Sequence, residues 1–210
     1  MSLSLSTTNL SEKNGPPSLS HLFTQGLKAL SIPVESLPQS SFIWKILQKT
    51  EGQSPSFSDT HWPENVWEQI HIISSAAEQA LPASASKTLG AVYTPRHITR
   101  RVIMEALDLW EEDRNNHGVP VLEDPACGAG AFLLSALEIM GDRYNMDVAS
   151  LIKNHIRGGD INPSAVEHSR AIVEFMLLSE GRTDDAHHLA AQCIQTRDFL
   201  LDSTTSNTDI

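Results

Sequence analysis

Several things are scarce or missing in this chain, and each closes a class of function. Cysteine occurs twice, as Cys127 and Cys193, too few for a disulfide framework or a four-ligand zinc site. A reducing, cytoplasmic setting is the expectation that follows. His187-His188 has no partner at metal-ligand spacing, so no metal is expected. No apolar run approaches the ~18 residues of a membrane helix. The opening MSLSLSTTNLSEKNGPPSLS lacks the charged-then-apolar layout of a secretory signal. No membrane partner is expected either. Positive charge is also short. The net charge is -11, and residues 1–50, with Lys13, Lys28, Lys45 and Lys49 against Glu12 and Glu35, are themselves basic. The rest of the chain is therefore strongly acidic. Affinity for DNA comes largely from neutralising phosphates, so this chain alone is a poor DNA binder. Action on DNA would need a recognition segment elsewhere or a second subunit.

The pattern along the chain divides it. Residues 1–20 are polar and expected to be disordered. Residues 21–60 hold two short apolar clusters, HLFTQGLKAL and SSFIWKILQKTE, followed by the linker-like EGQSPSFSDTHWP. From 61 to 113 two helices are expected as a lead-in. Val66, Ile70, Ile73, Ala77 and Leu81 mark the first. The second runs over about Arg96–Glu112, with Ile98, Val102, Ile103, Ala106, Leu107 and Trp110 on one side. Arg96, Arg100 and Arg101 read as a solvated helix face. Residues 119–210 alternate between strand and helix patterns. VPVLE, IRGGDI and CIQTRDFLL read as strands, AFLLSALEIMGDRY and the segment opened by Asn162-Pro163 as helices. That alternation predicts a parallel sheet with crossover helices.

The chemistry concentrates in DPACGAG at 124–130 and GGDINP at 158–163. A strand that ends in a glycine turn and then opens a helix offers bare backbone N–H groups to a ligand. An acid at the end of the next strand can accept from ribose hydroxyls. Together they indicate a nucleoside-bearing cofactor. Leu133 stands where a nicotinamide dinucleotide fingerprint needs a third small residue, and Asp160 comes late for that motif. A P-loop is excluded by the absence of Gly-Lys-Ser/Thr. Asp124 would repel a pyrophosphate but suits a ligand with a positive amino group, as S-adenosylmethionine has.

In that order, LGAVYTP, VLEDPACGAGAFLL, GGDINPSAVEHSR and TRDFLL resemble the first blocks of the gamma-type amino-methyltransferases that modify adenine N6 in DNA within restriction–modification systems. The similarity covers roughly residues 88–201. It implies a Rossmann-like α/β fold for S-adenosylmethionine, here incomplete, with residues 61–210 as a partial methyltransferase domain behind a helical extension. By the same resemblance Tyr93, Thr94 and Pro95 line the methionine end, and Asp124 faces its amino group. The loop around Pro125, Ala126, Cys127, Gly128 and Gly130 lies close to the cofactor. Asp160 holds the ribose, with Ile161 on one adenine face, while Asp198 accepts from the adenine amino group and Phe199 covers the other face. Ala129 replaces the family's serine, and Arg197 replaces the glycine before the third-block acid. The family's Asn/Asp-Pro-Pro-aromatic tetrad does not occur in these 210 residues, so no catalytic residue is assigned. Asn162-Pro163 reads as a helix cap. An incomplete sheet exposes an edge, so marginal stability or a second chain completing it is expected. Two other functions fit the same residues: a non-catalytic cofactor-binding or interaction subunit of a defence system, and an amino-methyltransferase acting on RNA or protein.

Overall fold

A computed structural model of the protein describes residues 17–49, 62–80, 94–113 and 118–201. Three helices come first: α1 (Leu19–Ala29), α2 (Phe42–Lys49) and α3 (Val66–Gln79). The side chain of Ser18 caps α1, and that of Asn65 caps α3, through His21 N–H and Glu68 N–H. The α3 stripe is as its periodicity predicts, with Ile70, Ile73 and Ala77 buried; Leu81 lies outside the described residues. Helix α4 (Arg96–Glu112) has the expected span and only part of the expected face. Thr99, Ile103 and Leu107 are buried, whereas Ile98, Val102 and Leu109 are exposed. The apolar positions of α4 span more than one stripe, and the stripe that meets α5 (Ala131–Tyr144) is the one carrying Thr99.

Next come β1 (Leu122–Asp124), α5, α6 (Val148–Asn154), β2 (Ile156–Asp160), α7 (Pro163–Ser179), α8 (Ala186–Cys193) and β3 (Ile194–Thr196). The three strands are parallel in the order β1-β2-β3, so this is a helix-rich α/β chain. Side chains alternate across a sheet. Leu122, Ile156 and Ile194 are buried, with α5 and α7 packed on the strands. Glu123, Arg157, Gly159, Gln195 and Arg197 fall on the opposite face by the same alternation. The third strand is shorter than the CIQTRDFLL pattern predicts. Cys193 ends α8, and the Leu201 N–H turns back to the Asp198 carbonyl at 3.2 Å.

α7 is the spine. Asn162 caps it through Ser164 N–H, Pro163 occupies its first turn, and its stripe of Val166, Ser169, Ile172, Val173, Met176 and Leu177 is buried. The N-terminal helices dock here. The Phe23 ring meets Phe175 edge-on at 6.1 Å between centroids. A side chain at Gly26 would come within 2.6 Å of the Phe175 ring, so only glycine lets α1 approach this closely. Glu174, almost wholly buried, accepts the N–H groups of Phe42 (2.8 Å) and Ile43 (3.1 Å) and so serves as an N-cap for α2. Burial pushes its carboxyl up, and the N–H donors pull the other way.

Helices α4 and α5 are joined differently. Thr99 and Ser135 hydroxyls meet at 2.6 Å. Glu138 on α5 takes Arg96 at 2.7 Å and Arg100 at 2.6 Å, with the His71 ring of α3 at 3.6 Å. Burial opposes its charge, but the hydrogen bond with His71 and the two arginines outweigh it and bring the carboxyl down to about 2. Arg96 and Arg100 thus stay partly solvated, as their spacing predicts, but also clamp Glu138; Arg101 is the most exposed of the three and pairs with Glu105.

Candidate functional site

The loop between β1 and α5 is tied down by its own backbone. Ala126 N–H donates to the Asp124 carboxylate (3.1 Å), Cys127 N–H to the Gly159 carbonyl of β2 (2.9 Å), and Gly130 N–H to the Cys127 carbonyl (2.7 Å). Gly128 N–H donates to Asp160 at 2.9 Å, so the acid at the end of β2 reaches across to the glycine turn. The other Asp160 oxygen accepts from Asn162 N–H at 2.8 Å.

Two glycines in the loop have positive φ, a conformation that side chains disfavour. Gly130, at φ 90°, starts α5, and a Cβ there would lie 2.8 Å from the Ser169 hydroxyl of α7. Gly128, at φ 54°, differs: a Cβ there would meet nothing within 4 Å. One glycine therefore serves packing, while the other faces open space beside the Asp160 carboxylate. Cys127 is buried, and its thiol is pushed far up, by desolvation first and then by the charges of Asp124 and Asp160. Such a thiol is no nucleophile; the residue serves the loop through its backbone.

Asp124 and Asp160 are near enough for the charge of one to act on the other, and Asp124 is raised chiefly by desolvation, with the Ala126 N–H opposing and Asp160 adding. Two carboxylates around an open glycine turn favour a cationic ligand. Pro125 and Ala126 are exposed, and next to Asp160 the Ile161 side chain is 53% exposed, an apolar surface beside hydrogen-bond acceptors. Thr94 borders a small hollow with Arg96, Thr99 and Ala131, which places it at the start of α5, where the glycine loop ends. Pro95 leads directly into α4. Tyr93 lies outside the described residues.

Past the end of β3, Asp198 accepts the Leu200 and Leu201 N–H groups of its own turn. Phe199 packs on Gly159: a Cβ there would come within 2.3 Å of the ring. At Gly158 a Cβ would strike Leu133 of α5 at 2.6 Å. The two strand glycines thus admit a neighbour on each face. Adjacent glycines inside a strand signal such a need, although the motif pattern gives neither of them a role. Arg197 N–H donates to the Asp160 carbonyl at 3.0 Å, which links the third block to the ribose acid through the backbone. No group of three or more His, Cys, Asp or Glu side chains suited to a metal occurs among the described residues. No helix among them is long and apolar enough to cross a membrane.

Comparison with known proteins shows the family to which the chain belongs. The family described as N-6 DNA Methylase matches residues 68–196. A type II methyltransferase of Microbacterium ammoniaphilum, M.MamI, is 32% identical over 83 residues, which are 39% of this chain and 23% of that protein. The chain thus spans less than a quarter of that relative's length. No solved structure matches. With the match running from α3 to the end of β3 and so containing the glycine loop and both its carboxylates, the chain belongs to the N-6 DNA methylase family.

Proposed function

We propose that this chain holds S-adenosylmethionine on a Rossmann-like sheet for methylation of adenine N6 in DNA. The reading is supported above all by the open Gly128 turn with Asp124 and Asp160 beside it, in a chain of this family. Asp124 would meet the amino group, with Thr94 and Pro95, and Tyr93 by resemblance, toward the methionine carboxylate. The backbone from Pro125 through Gly130 would lie along the ligand. Asp160 would accept from the ribose hydroxyls, its lone pairs already partly directed by Gly128 and Asn162 N–H groups. Ile161 and Phe199 would flank the adenine, and Asp198 would accept from its amino group. When bound, the cofactor supplies an electrophilic methyl group on a sulfonium. The protein's own contribution here is to hold that ligand against two fixed carboxylates.

Calorimetric titration tests this. The full chain is expected to bind S-adenosylmethionine and S-adenosylhomocysteine, and Asp160→Ala to weaken both at least ~10-fold, since hydrogen bonds to a charged group are worth about 1.5–3 kcal/mol. NADH should not bind. A folded chain with no affinity for either adenosyl ligand at millimolar concentration would refute the reading.

A second reading is favoured by the net charge of -11, which disfavours a DNA-gripping surface. In it the chain is a cofactor-binding or interaction subunit without catalysis of its own. Methyl transfer to adenine-containing DNA by the purified chain alone would rule this out.

A further inference from the structure

Arg197 stands where the resemblance leads one to expect glycine, and the structure puts it to use. Its guanidinium lies over the Phe199 ring, 4.2 Å from the centroid, within the range where a cation is held by an aromatic face. Two adjacent atoms of that ring, Cε2 and Cζ, pack against Gly159. Arg197 is in turn held from β1, where the Glu123 carboxylate lies 3.9 Å away, and both side chains are largely buried, at 15% and 11% exposed. Its backbone N–H donates to the carbonyl of Asp160. Glu123, Arg197, Phe199 and Gly159 thus form a continuous stack across the ends of all three strands, on the face away from α5. It borders a cavity of about 250 Å³.

The Phe199 ring stands on a short turn after a three-residue strand. Leu200 and Leu201, which follow it, are almost fully exposed. We infer that Arg197 is a positioning residue for the adenine end of the cofactor site: braced by Glu123, it clamps Phe199 against Gly159 and so fixes the wall that the ring presents next to Asp160. This rests on the cofactor reading above for what the wall is for, but not for the clamp itself. A glycine here would leave the ring to find its own position. The arginine pre-orders it, and an ordered wall binds a flat base with less entropy lost.

The test combines two readouts on the full chain. With 4-fluorophenylalanine placed at 199, the fluorine spectrum of the wild type should show one dispersed resonance. Arg197→Met should shift it toward the free-residue position, and Arg197→Lys, which keeps the charge, should restore most of the shift. In titrations, Arg197→Met should weaken S-adenosylhomocysteine and 5′-methylthioadenosine by the same factor, about 5–10-fold, because both carry the adenine. Asp124→Asn should weaken the first only. Glu123→Gln should fall between wild type and Arg197→Met. An unmoved fluorine resonance in Arg197→Met, or Arg197→Lys behaving no better than Arg197→Met, would overturn the proposal. If the wild type binds neither nucleoside, the cofactor reading fails, and the fluorine spectra still decide whether Arg197 holds the ring.

Discussion

Two glutamates on the two central helices do the same mechanical job by opposite physics. Glu174 on α7 carries α2 by accepting backbone N–H groups in a nearly dry environment, and burial raises its carboxyl. Glu138 on α5 carries α3 and α4 by gathering Arg96, Arg100 and His71 closer to solvent, and its carboxyl falls to about 2. A carboxylate can therefore join helices either as a cap or as the hub of a cationic cluster. Which it is sets how the joint answers to pH and to mutation.

The largest difference should appear when the acceptor is removed outright. Glu174→Ala leaves one buried and one part-buried N–H group without this acceptor and should cost about 2–5 kcal/mol, read by denaturant unfolding. Glu174→Gln keeps an acceptor oxygen and should cost far less. A loss in Glu174→Ala no larger than in Glu174→Gln would show that α2 is not held by this cap. At the other joint, Glu138→Gln should cost about 1–3 kcal/mol, since charge-assisted hydrogen bonds are lost but the half-exposed arginines can turn to water.

The two joints should also respond to pH with opposite slopes. Glu138, lowered in the fold, contributes stability that is present above its ordinary value near 4.5 and is lost as the pH falls toward about 2. Glu174, raised in the fold, contributes stability that is present at low pH and is lost as the pH rises through its elevated value. Unfolding free energy measured from pH 2 to 7 should therefore lose part of its acid-side fall in Glu138→Gln. In Glu174→Gln it should lose part of its decline on the rising side. Parallel profiles for the two variants would contradict the contrast.

The smallest effect concerns α4. Leu109, 69% exposed, and Ile98 should each tolerate serine within about 0.5 kcal/mol, while the buried Leu107→Ala should cost about 2–5 kcal/mol. Equal losses at Ile98 and Leu107 would mean that the exposed stripe is covered in solution.

Features with a local cause are legible in the order of residues. Asn162 and Pro163 announce the start of α7 because a cap and a missing N–H act within one turn. The DPACGAG turn is legible for the same reason, as positive φ at Gly128 and Gly130 is a demand on single residues. The parallel sheet follows from alternation alone, though β3 is shorter than its apolar pattern because residues 198–201 form a turn. Arg96 and Arg100 are not legible in this way: a charge pattern on one helix says nothing of an acid on another. Nor does an apolar position on α4 say which stripe a neighbour will cover.

Residue order alone thus carried the order of elements, the helix caps, the glycine turn and the acids around it, since each depends on contacts within a few residues or on one residue's own geometry. It required the tertiary structure to pair Glu174 with Ile43, 131 positions away, to choose the buried side of α4, and to separate the two loop glycines into one that packs on Ser169 and one that faces open space. Those outcomes depend on which surfaces the fold brings together, and nothing in the spacing along the chain encodes a distance across it.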